Sequence, residues 1–234
     1  MTIDERFKTI RQHIEDATKS ARRDSNSVTL LAVSKAQEIN KIEQAYQLGQ
    51  KAFGESYLSE ALPKIEALSH SDIDWHFIGP IQSNKTKDIA ENFDWVQSVD
   101  RIKIARRLNE QRPTKLGKLN VLVQVDLFEE STKQGCQLKD LDELLDFVVQ
   151  QPNLHLRGLM AIPPRQSNTQ QQLDQFSQIA LVFENVKKTY PEVDVLSMGM
   201  SDDMTSAIAA GSNMVRIGSA LFGERPANWK SKLK

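Results

Sequence analysis

Apolar and polar residues follow one another along the chain in two different rhythms, which predict helices and strands in alternation. Residues 3–21 carry apolar side chains three and four positions apart, which predicts an amphipathic helix before the first strand. Residues 28–35, VTLLAVSK, are β-branched and apolar up to a lysine, which is typical of a buried strand. An apolar stripe over residues 39–46 predicts the next helix, and Gly49 is placed to end it.

Seven further strands are predicted, the first six of them followed by apolar stripes at helical spacing. Several of these strands are continuously apolar, which favours a parallel sheet covered by helices. The stripe after the second strand runs through Leu58, Leu62, Ile65 and Leu68. Eight strands within 234 residues predict an α/β protein with a (β/α)8 TIM barrel and an extra N-terminal helix. The later strands are predicted at residues 51–56, 74–79, 94–100, 120–126, 156–162, 195–200 and 214–223.

An open, doubly wound sheet is the alternative fold. To bind a dinucleotide it would need a glycine-rich turn after the first strand, and residues 34–38, SKAQE, contain no glycine. The chain also has no linker rich in proline, glycine and serine that would separate two domains. We therefore predict one barrel domain over residues 1–234.

Composition and charge exclude several classes of function. The chain has 30 basic and 31 acidic residues, a formal net charge of -1, which predicts no nucleic-acid partner. No apolar run reaches the ~18 residues of a membrane span, and no secretory signal is recognisable. Cys136 is the single cysteine, which favours a reducing compartment, so we predict a cytoplasmic protein without a membrane partner. The histidines predict no metal site, and His76 is interpreted as a hydrogen-bonded core residue.

Small and polar side chains follow many of the predicted strands, at the barrel face where active sites form. Lys35 ends the first strand, and a lysine there is usually a side chain that reaches water along its own stem. At a barrel mouth, however, burial lowers the pKa of an ammonium group and exposes a nucleophilic amine. The polar strand-end residues are Lys35, Glu55, Ser56, Gly79, Ser98, Gln124, Asp126, Ser201, Arg216, Gly218 and Ser219.

The loops after the seventh and eighth strands predict a phosphate site. Gly199 and Gly218 allow the backbone to approach an anion, while Ser201 and Ser219 offer hydroxyls and amides at helix starts. The alternative interpretation of Ser201 is a cap for a helix that starts at Asp202.

Arg216 lies two residues before Gly218, so the two residues share a face of the eighth strand. An inward guanidinium needs a partner, which is either a barrel carboxylate or a ligand atom. An amine, a phosphate cradle and a planar cation around one mouth match the aldehyde, phosphate and ring nitrogen of pyridoxal 5'-phosphate (PLP).

Five motifs resemble, over essentially the whole chain, the YggS/PROSC family of pyridoxal phosphate homeostasis proteins: LLAVSK, FGES, WHFIGPIQSNK, RGLMAI and LSMGMSDDMTSAIAAGSNMVRIGSALFG. The resemblance implies a fold-type III barrel like the N-terminal domain of alanine racemase, with PLP as a Schiff base on Lys35. It implies phosphate contacts from Ser201, Gly218 and Ser219, and Arg216 near the pyridine nitrogen. It also implies a role in intracellular vitamin B6 homeostasis that affects amino-acid and keto-acid pools. The motif that the family usually reads as FGEN has Ser56 at its last position here.

The same residues bear on the choice between an enzyme and a carrier. An arginine beside the pyridine nitrogen opposes its protonation and weakens the ring as an electron sink. Racemisation needs a second base opposite Lys35, and the resemblance implies that racemases take it from a separate β domain. Only eleven residues follow Gly223, so we expect no such domain here.

We therefore predict a PLP carrier that is not an enzyme. PLP-dependent apoenzymes are its candidate partners, and we expect a monomer, with a weak dimer as the alternative. Two other functions stay open: a fold-type III amino-acid racemase, and a cofactor-free Schiff-base aldolase that uses Lys35 on a phosphorylated sugar.

Overall fold

Eight parallel strands form a closed barrel in which each strand pairs with the next along the chain. The structure is a computed structural model that describes residues 1–128, 134–224 and 229. Strand β8 pairs back with β1, so the sheet is closed without an edge. The strands are β1 (Thr29–Val33), β2 (Ala52–Glu55), β3 (Asp74–Phe77), β4 (Trp95–Val99), β5 (Leu119–Val125), β6 (Leu154–Ala161), β7 (Val195–Ser197) and β8 (Met214–Ile217).

Helices connect successive strands, as the alternating pattern predicts. The (β/α)8 barrel with an extra N-terminal helix is thereby confirmed. No helix within the described ranges is both long enough and apolar enough to cross a bilayer. The helices are α1 (Ile3–Ser20), α2 (Ile39–Gln47), α3 (Leu58–Ala67), α4 (Thr86–Asn92), α5 (Ile102–Gln111), α6 (Leu138–Val149), α7 (Thr169–Thr189), α8 (Met204–Ala209) and α9 (Ser219–Phe222), with short 3-10 helices at Ser83–Lys85 and Thr114–Leu116.

The N-terminal helix α1 packs against the end of the barrel sequence. It begins with a capping box, in which the Glu5 amide donates to Thr2 Oγ1 at 3.2 Å and the Thr2 amide donates to Glu5 Oε2 at 2.7 Å. Its buried face includes Phe7, whose ring meets the ring of Phe222 in α9 edge to face at 5.9 Å. Helix α1 therefore supports the segment that carries Ser219.

Two hydrophobic clusters make up the core. The larger lies between the strands and the surrounding helices, and the smaller fills the barrel interior. Val195 in β7 and Met214 in β8 belong to the smaller cluster. The residues two positions later on the same strand faces are Ser197 and Arg216, which are both buried. The interior therefore changes from apolar to polar along its axis. The smaller cluster comprises Leu31, Ala52, Leu122, Met160, Val195 and Met214.

The predicted strand over residues 214–223 is wrong in its second half. Strand β8 ends at Ile217, and Gly218 is the N-cap of helix α9. The Gly218 carbonyl accepts from the Leu221 and Phe222 amides at 2.9 and 3.1 Å, which closes a helical turn. A short apolar segment carries no period that separates helix from strand, which explains the error.

The prediction of one domain over residues 1–234 stays a prediction. Residues 129–133, 225–228 and 230–234 lie outside the described ranges. The closed barrel, which is the part that positions the candidate site, lies entirely within the described ranges.

Candidate functional site

Lys35 follows β1 at the carboxyl end of the barrel, as the sequence predicts. Its side chain is half-buried, and Nζ donates a long hydrogen bond of 3.4 Å to Ser56 Oγ, just after β2. The next residue, Ala36, has a φ of 61°, which is left-handed backbone that alanine adopts at a cost. The Ala36 amide donates to Glu60 Oε2 at 2.8 Å, so a carboxylate holds this turn in place.

A buried ion pair lies next to the lysine turn. Lys64 Nζ donates to Glu55 Oε1 at 2.8 Å and to the Ser34 carbonyl at 2.9 Å, while Ser34 Oγ donates to Glu55 Oε1 at 2.7 Å. Burial raises the pKa of the Glu55 carboxyl, and the Lys64 charge acts in the opposite direction. The second oxygen of Glu55 is buried without a hydrogen-bond partner among the described residues. This network fixes Ser34, the residue before Lys35, to the neighbouring strand.

The backbone at Ser56 passes very close to Gly79, which follows β3. A Cβ added to Gly79 would lie 2.2 Å from the Ser56 carbonyl oxygen, so a side chain at position 79 would displace that backbone. The Gly79 carbonyl in turn accepts from Ser98 Oγ at 2.5 Å. The predicted strand-end residues Ser56, Gly79 and Ser98 are thus brought together, and glycine is required at position 79 by close approach.

Arg216 is buried inside the barrel and is held by neutral acceptors. Nη1 donates to the Ser197 carbonyl at 2.8 Å and to Ser197 Oγ at 2.9 Å, and Nη2 donates to the Ala161 carbonyl at 2.9 Å. None of these acceptors is a carboxylate, so they do not form the ion pair that sequence analysis gave as the alternative. Burial lowers the pKa of Arg216 to about 10, with Asp203 acting in the opposite direction, so the guanidinium stays charged at neutral pH.

The loop between β7 and α8 carries Ser201 in an exposed position. Helix α8 begins at Met204 with Asp203 at its N-cap, so the interpretation of Ser201 as a cap is wrong. Asp203 Oδ1 instead accepts from the Met200 amide at 2.6 Å, which folds the loop back before the helix begins. Gly199 has a φ of 95° in this loop, a conformation that favours glycine.

The other predicted anion loop joins β8 to α9. An added Cβ at Gly218 would lie 3.3 Å from the Val33 carbonyl oxygen, so the ends of β8 and β1 are close together. Ser219 is exposed and is the first residue of α9. Lys41 Nζ donates to the Phe222 carbonyl at 3.1 Å, which ties α9 to the helix that follows Lys35.

The five predicted site residues therefore lie at the carboxyl ends of three consecutive strands, β7, β8 and β1. Strand pairing places Leu31 opposite Arg216, and Ala32 opposite Ile217. The roles assigned to Lys35, Ser201, Arg216, Gly218 and Ser219 stay predictions.

Sequence reasoning does not identify three buried polar residues of the site: Lys64, Gln97 and Ser197. The apolar stripe predicted for α3 points to Leu62 and Ile65, which are only half-buried, whereas Lys64 is buried on the core face. A signal for Gln97 and Ser197 was present, since each is a polar residue inside an otherwise apolar strand.

Fold and site geometry together define the class of protein, a barrel of the alanine racemase type. The family model described as "Alanine racemase, N-terminal domain" matches residues 8–226. The pyridoxal phosphate homeostasis protein of Pasteurella multocida (strain Pm70) is 49% identical over 229 residues, which cover 96% of this chain and 98% of that protein. The chain belongs to the family of pyridoxal phosphate homeostasis proteins, which confirms the resemblance seen in its motifs.

Two solved structures place the barrel among its relatives. PipY of Synechococcus elongatus PCC7942, whose structure is described with PLP bound, is 32% identical with a TM-score of 0.83. The match covers 95% of this chain and 100% of PipY. Alanine racemase of Clostridium difficile 630 is 15% identical with a TM-score of 0.70, and the match covers 94% of this chain and 61% of the racemase. The likeness to the racemase shows the shared fold alone.

Proposed function

We propose that this protein binds PLP reversibly through Lys35 and takes part in intracellular PLP homeostasis as a carrier. The observation that carries the proposal is the convergence of Lys35, Arg216 and two serine-containing loops at the carboxyl ends of β7, β8 and β1. The homeostasis name of the Pasteurella multocida relative and the PLP bound in PipY support it.

The chemistry of the donor set fits the cofactor. The Lys35 amine is the group that would hold the aldehyde carbon, and exposed Ser201 and Ser219, with the Gly218 backbone, would hold the phosphate. Arg216 fits the pyridine nitrogen because its hydrogen bonds go to neutral acceptors, and Asp203 acts on its charge without a hydrogen bond among those described. When bound, PLP supplies an electrophilic carbon joined to an electron-withdrawing ring.

The chain's own residues favour holding over catalysis. Arg216 remains charged at neutral pH and opposes protonation of a ring nitrogen beside it, which weakens the ring as an electron sink. Ser56 Oγ accepts from the Lys35 amine and so positions it. The Glu55 and Lys64 pair fixes the backbone before that amine. The relative from Pasteurella multocida is named for homeostasis and not for a reaction.

The proposal extends to partners and location. PLP-dependent apoenzymes would receive the cofactor, since a reversible covalent bond to Lys35 allows transfer to another lysine. We propose a monomer, with a weak dimer as the alternative. A cytoplasmic location is supported by the single cysteine, Cys136, which is free and buried.

Borohydride reduction in the presence of PLP, followed by peptide mass mapping, tests the proposal. We expect one modified residue, Lys35, and loss of the bound-cofactor absorbance in Lys35→Ala. Lys87→Ala, at an exposed position of α4, is the matched control and should keep both signals. Modification elsewhere, or none, would contradict the proposal.

The two other candidate functions give different results in the same samples. Alanine or serine racemisation that depends on Lys35 would establish a racemase in place of a carrier. A colourless protein that cleaves a phosphorylated sugar through Lys35 would establish the cofactor-free aldolase.

A further inference from the structure

Four buried side chains form an unbroken hydrogen-bonded chain through the barrel interior. Arg216 Nη1 donates to Ser197 Oγ at 2.9 Å, and Ser197 Oγ donates to Gln97 Oε1 at 2.8 Å. Gln97 Nε2 then lies 2.9 Å from His76 Nδ1. All four residues are at most 6% exposed, so water does not compete for these bonds.

His76 gives the chain its direction. Burial lowers the pKa of His76 to about 3, so the ring is neutral at neutral pH. The structure places the amide nitrogen of Gln97 next to His76 Nδ1 and the amide oxygen next to Ser197 Oγ, and Nδ1 of the neutral ring accepts in the tautomer that carries its proton on Nε2. The ring is held in place by stacking on Trp95, with centroids 4.9 Å apart and planes 12° apart. Gln97 Nε2 also approaches Met214 Sδ at 3.2 Å, a weak acceptor that suits the same orientation.

The orientation of the Gln97 amide determines how Ser197 contacts Arg216. Because the Gln97 oxygen faces the Ser197 hydroxyl, the hydroxyl donates its single hydrogen to Gln97 and accepts from Arg216 through a lone pair. If the amide were reversed, its nitrogen would donate to the Ser197 hydroxyl, and the hydroxyl hydrogen would lose Gln97 Oε1 as its acceptor. Each bond in the chain therefore fixes the next, and the last one fixes the guanidinium.

We propose that Gln97 and Ser197 are positioning residues that hold Arg216 against the pyridine nitrogen of PLP, with His76 setting the direction of the chain. This inference rests on the proposed function, because that function gives Arg216 its partner. The inference assigns a buried amide and a buried hydroxyl, which act through Arg216, to the control of the cofactor ring.

The test is a pH titration of the absorption spectrum of the PLP-loaded protein. Ser197→Ala removes the hydroxyl but leaves two carbonyl acceptors for Arg216, and Gln97→Met interrupts the chain at similar side-chain volume. A less firmly held Arg216 opposes ring-nitrogen protonation less. We expect the pH midpoint of the absorption change to rise by about one unit in both variants. That rise is a roughly tenfold change in the protonation equilibrium of the ring nitrogen.

Two controls separate positioning from general stability. Ser212→Ala also deletes a buried hydroxyl, one whose described acceptors are the backbone carbonyls of Leu196, Met198 and Met214, with Met198 the nearest at 2.7 Å, and should leave the midpoint unchanged. Ser197→Thr keeps the hydroxyl and should restore the wild-type midpoint. The Ser197→Ala, Gln97→Met double variant should show the same midpoint as each single variant, because each substitution already interrupts the same hydrogen-bonded chain.

The outcomes are distinguishable. If borohydride trapping on wild-type Lys35 fails, the proposed function and this inference fall together. If trapping succeeds but neither variant moves the midpoint, or Ser212→Ala moves it equally, the positioning role alone is overturned. If Ser197→Ala fails to fold, the midpoints of Gln97→Met and Ser197→Thr decide the question in the same way.

Discussion

Lys64 Nζ lies 2.8 Å from Glu55 Oε1, and the two side chains are 7% and 0% exposed. Charges so well removed from water are stable only as a pair, because the loss of one partner leaves the other without compensation. Since both also bind Ser34, the pair links the stability of the barrel to the position of the adjacent Lys35.

Replacing Lys64 with methionine should destabilise the protein strongly. We expect Lys64→Met to lower the free energy of unfolding by about 3–5 kcal/mol, the cost of a stranded buried charge, in urea unfolding of the cofactor-free protein. Adding Glu55→Gln should recover much of this loss. Lys51→Met removes an exposed partner of Asp72 and should leave stability close to wild type.

The deficit of Lys64→Met should also depend on pH. Burial raises the pKa of Glu55 above its ordinary 4.5 in the folded state, so its ionisation opposes folding as pH rises through the folded pKa. Without Lys64 that pKa rises further, so the deficit should be largest at neutral pH and shrink as pH is lowered. A deficit independent of pH would contradict this account.

Gly79→Ala should disturb both stability and cofactor retention. The new Cβ would meet the Ser56 carbonyl oxygen at 2.2 Å, so we expect about 1–3 kcal/mol of destabilisation from forced backbone movement. Movement of Ser56 would displace the acceptor of the Lys35 amine, so PLP retention in equilibrium dialysis should fall as well. Gly117→Ala, at a φ of 67° with open space around it, is the control and should leave retention unchanged.

Removal of either phosphate-loop hydroxyl should weaken PLP binding without preventing attachment to Lys35. A hydrogen bond to a charged group accounts for about tenfold in affinity, so Ser201→Ala and Ser219→Ala should each lower retention by roughly that factor. Mass mapping after borohydride reduction should still find Lys35 modified. Exposed Ser69 offers the control, and an effect of Ser69→Ala as large as theirs would argue against the phosphate assignment.

His76 should contribute to acid unfolding. Burial lowers its pKa from 6.5 to about 3, so between these pH values the imidazole binds a proton in the unfolded chain but not in the folded protein. Stability should fall as pH drops from 6.5 to about 3, and His76→Phe should flatten this dependence by about one proton. Urea unfolding at a series of pH values measures the slope. Ser212→Ala loses no titrating group and should keep the wild-type slope.

The fold could be predicted from sequence because the alternation of strands and helices repeats eight times. Local pattern failed where a short segment had to be assigned alone: residues 220–222 are apolar yet helical, because β8 ends at Ile217 and Gly218 caps α9. It failed again at Ser201, because an N-cap depends on where the helix starts, and Asp203 rather than Ser201 precedes Met204.

The contacts between site residues could be predicted less well. The positions of Lys35 and Arg216 follow from strand ends and alternation, but their partners come from distant parts of the chain. Gln97 in β4 meets Ser197 in β7, one hundred residues away, and this pair depends on barrel closure, which no local window contains. Lys64 and Glu55 are nine residues apart, but their contact depends on how α3 packs against β2, which the apolar stripe of α3 does not indicate.

The left-handed backbone at Ala36 has a further consequence. A glycine would adopt this conformation at less cost, so Ala36→Gly offers a gain in folding energy that the chain forgoes. What the methyl group supplies is a narrower range of backbone angles on the residue next to Lys35. The chain thus gives up a little stability in return for a more restricted backbone beside the lysine that we propose as the PLP-binding residue.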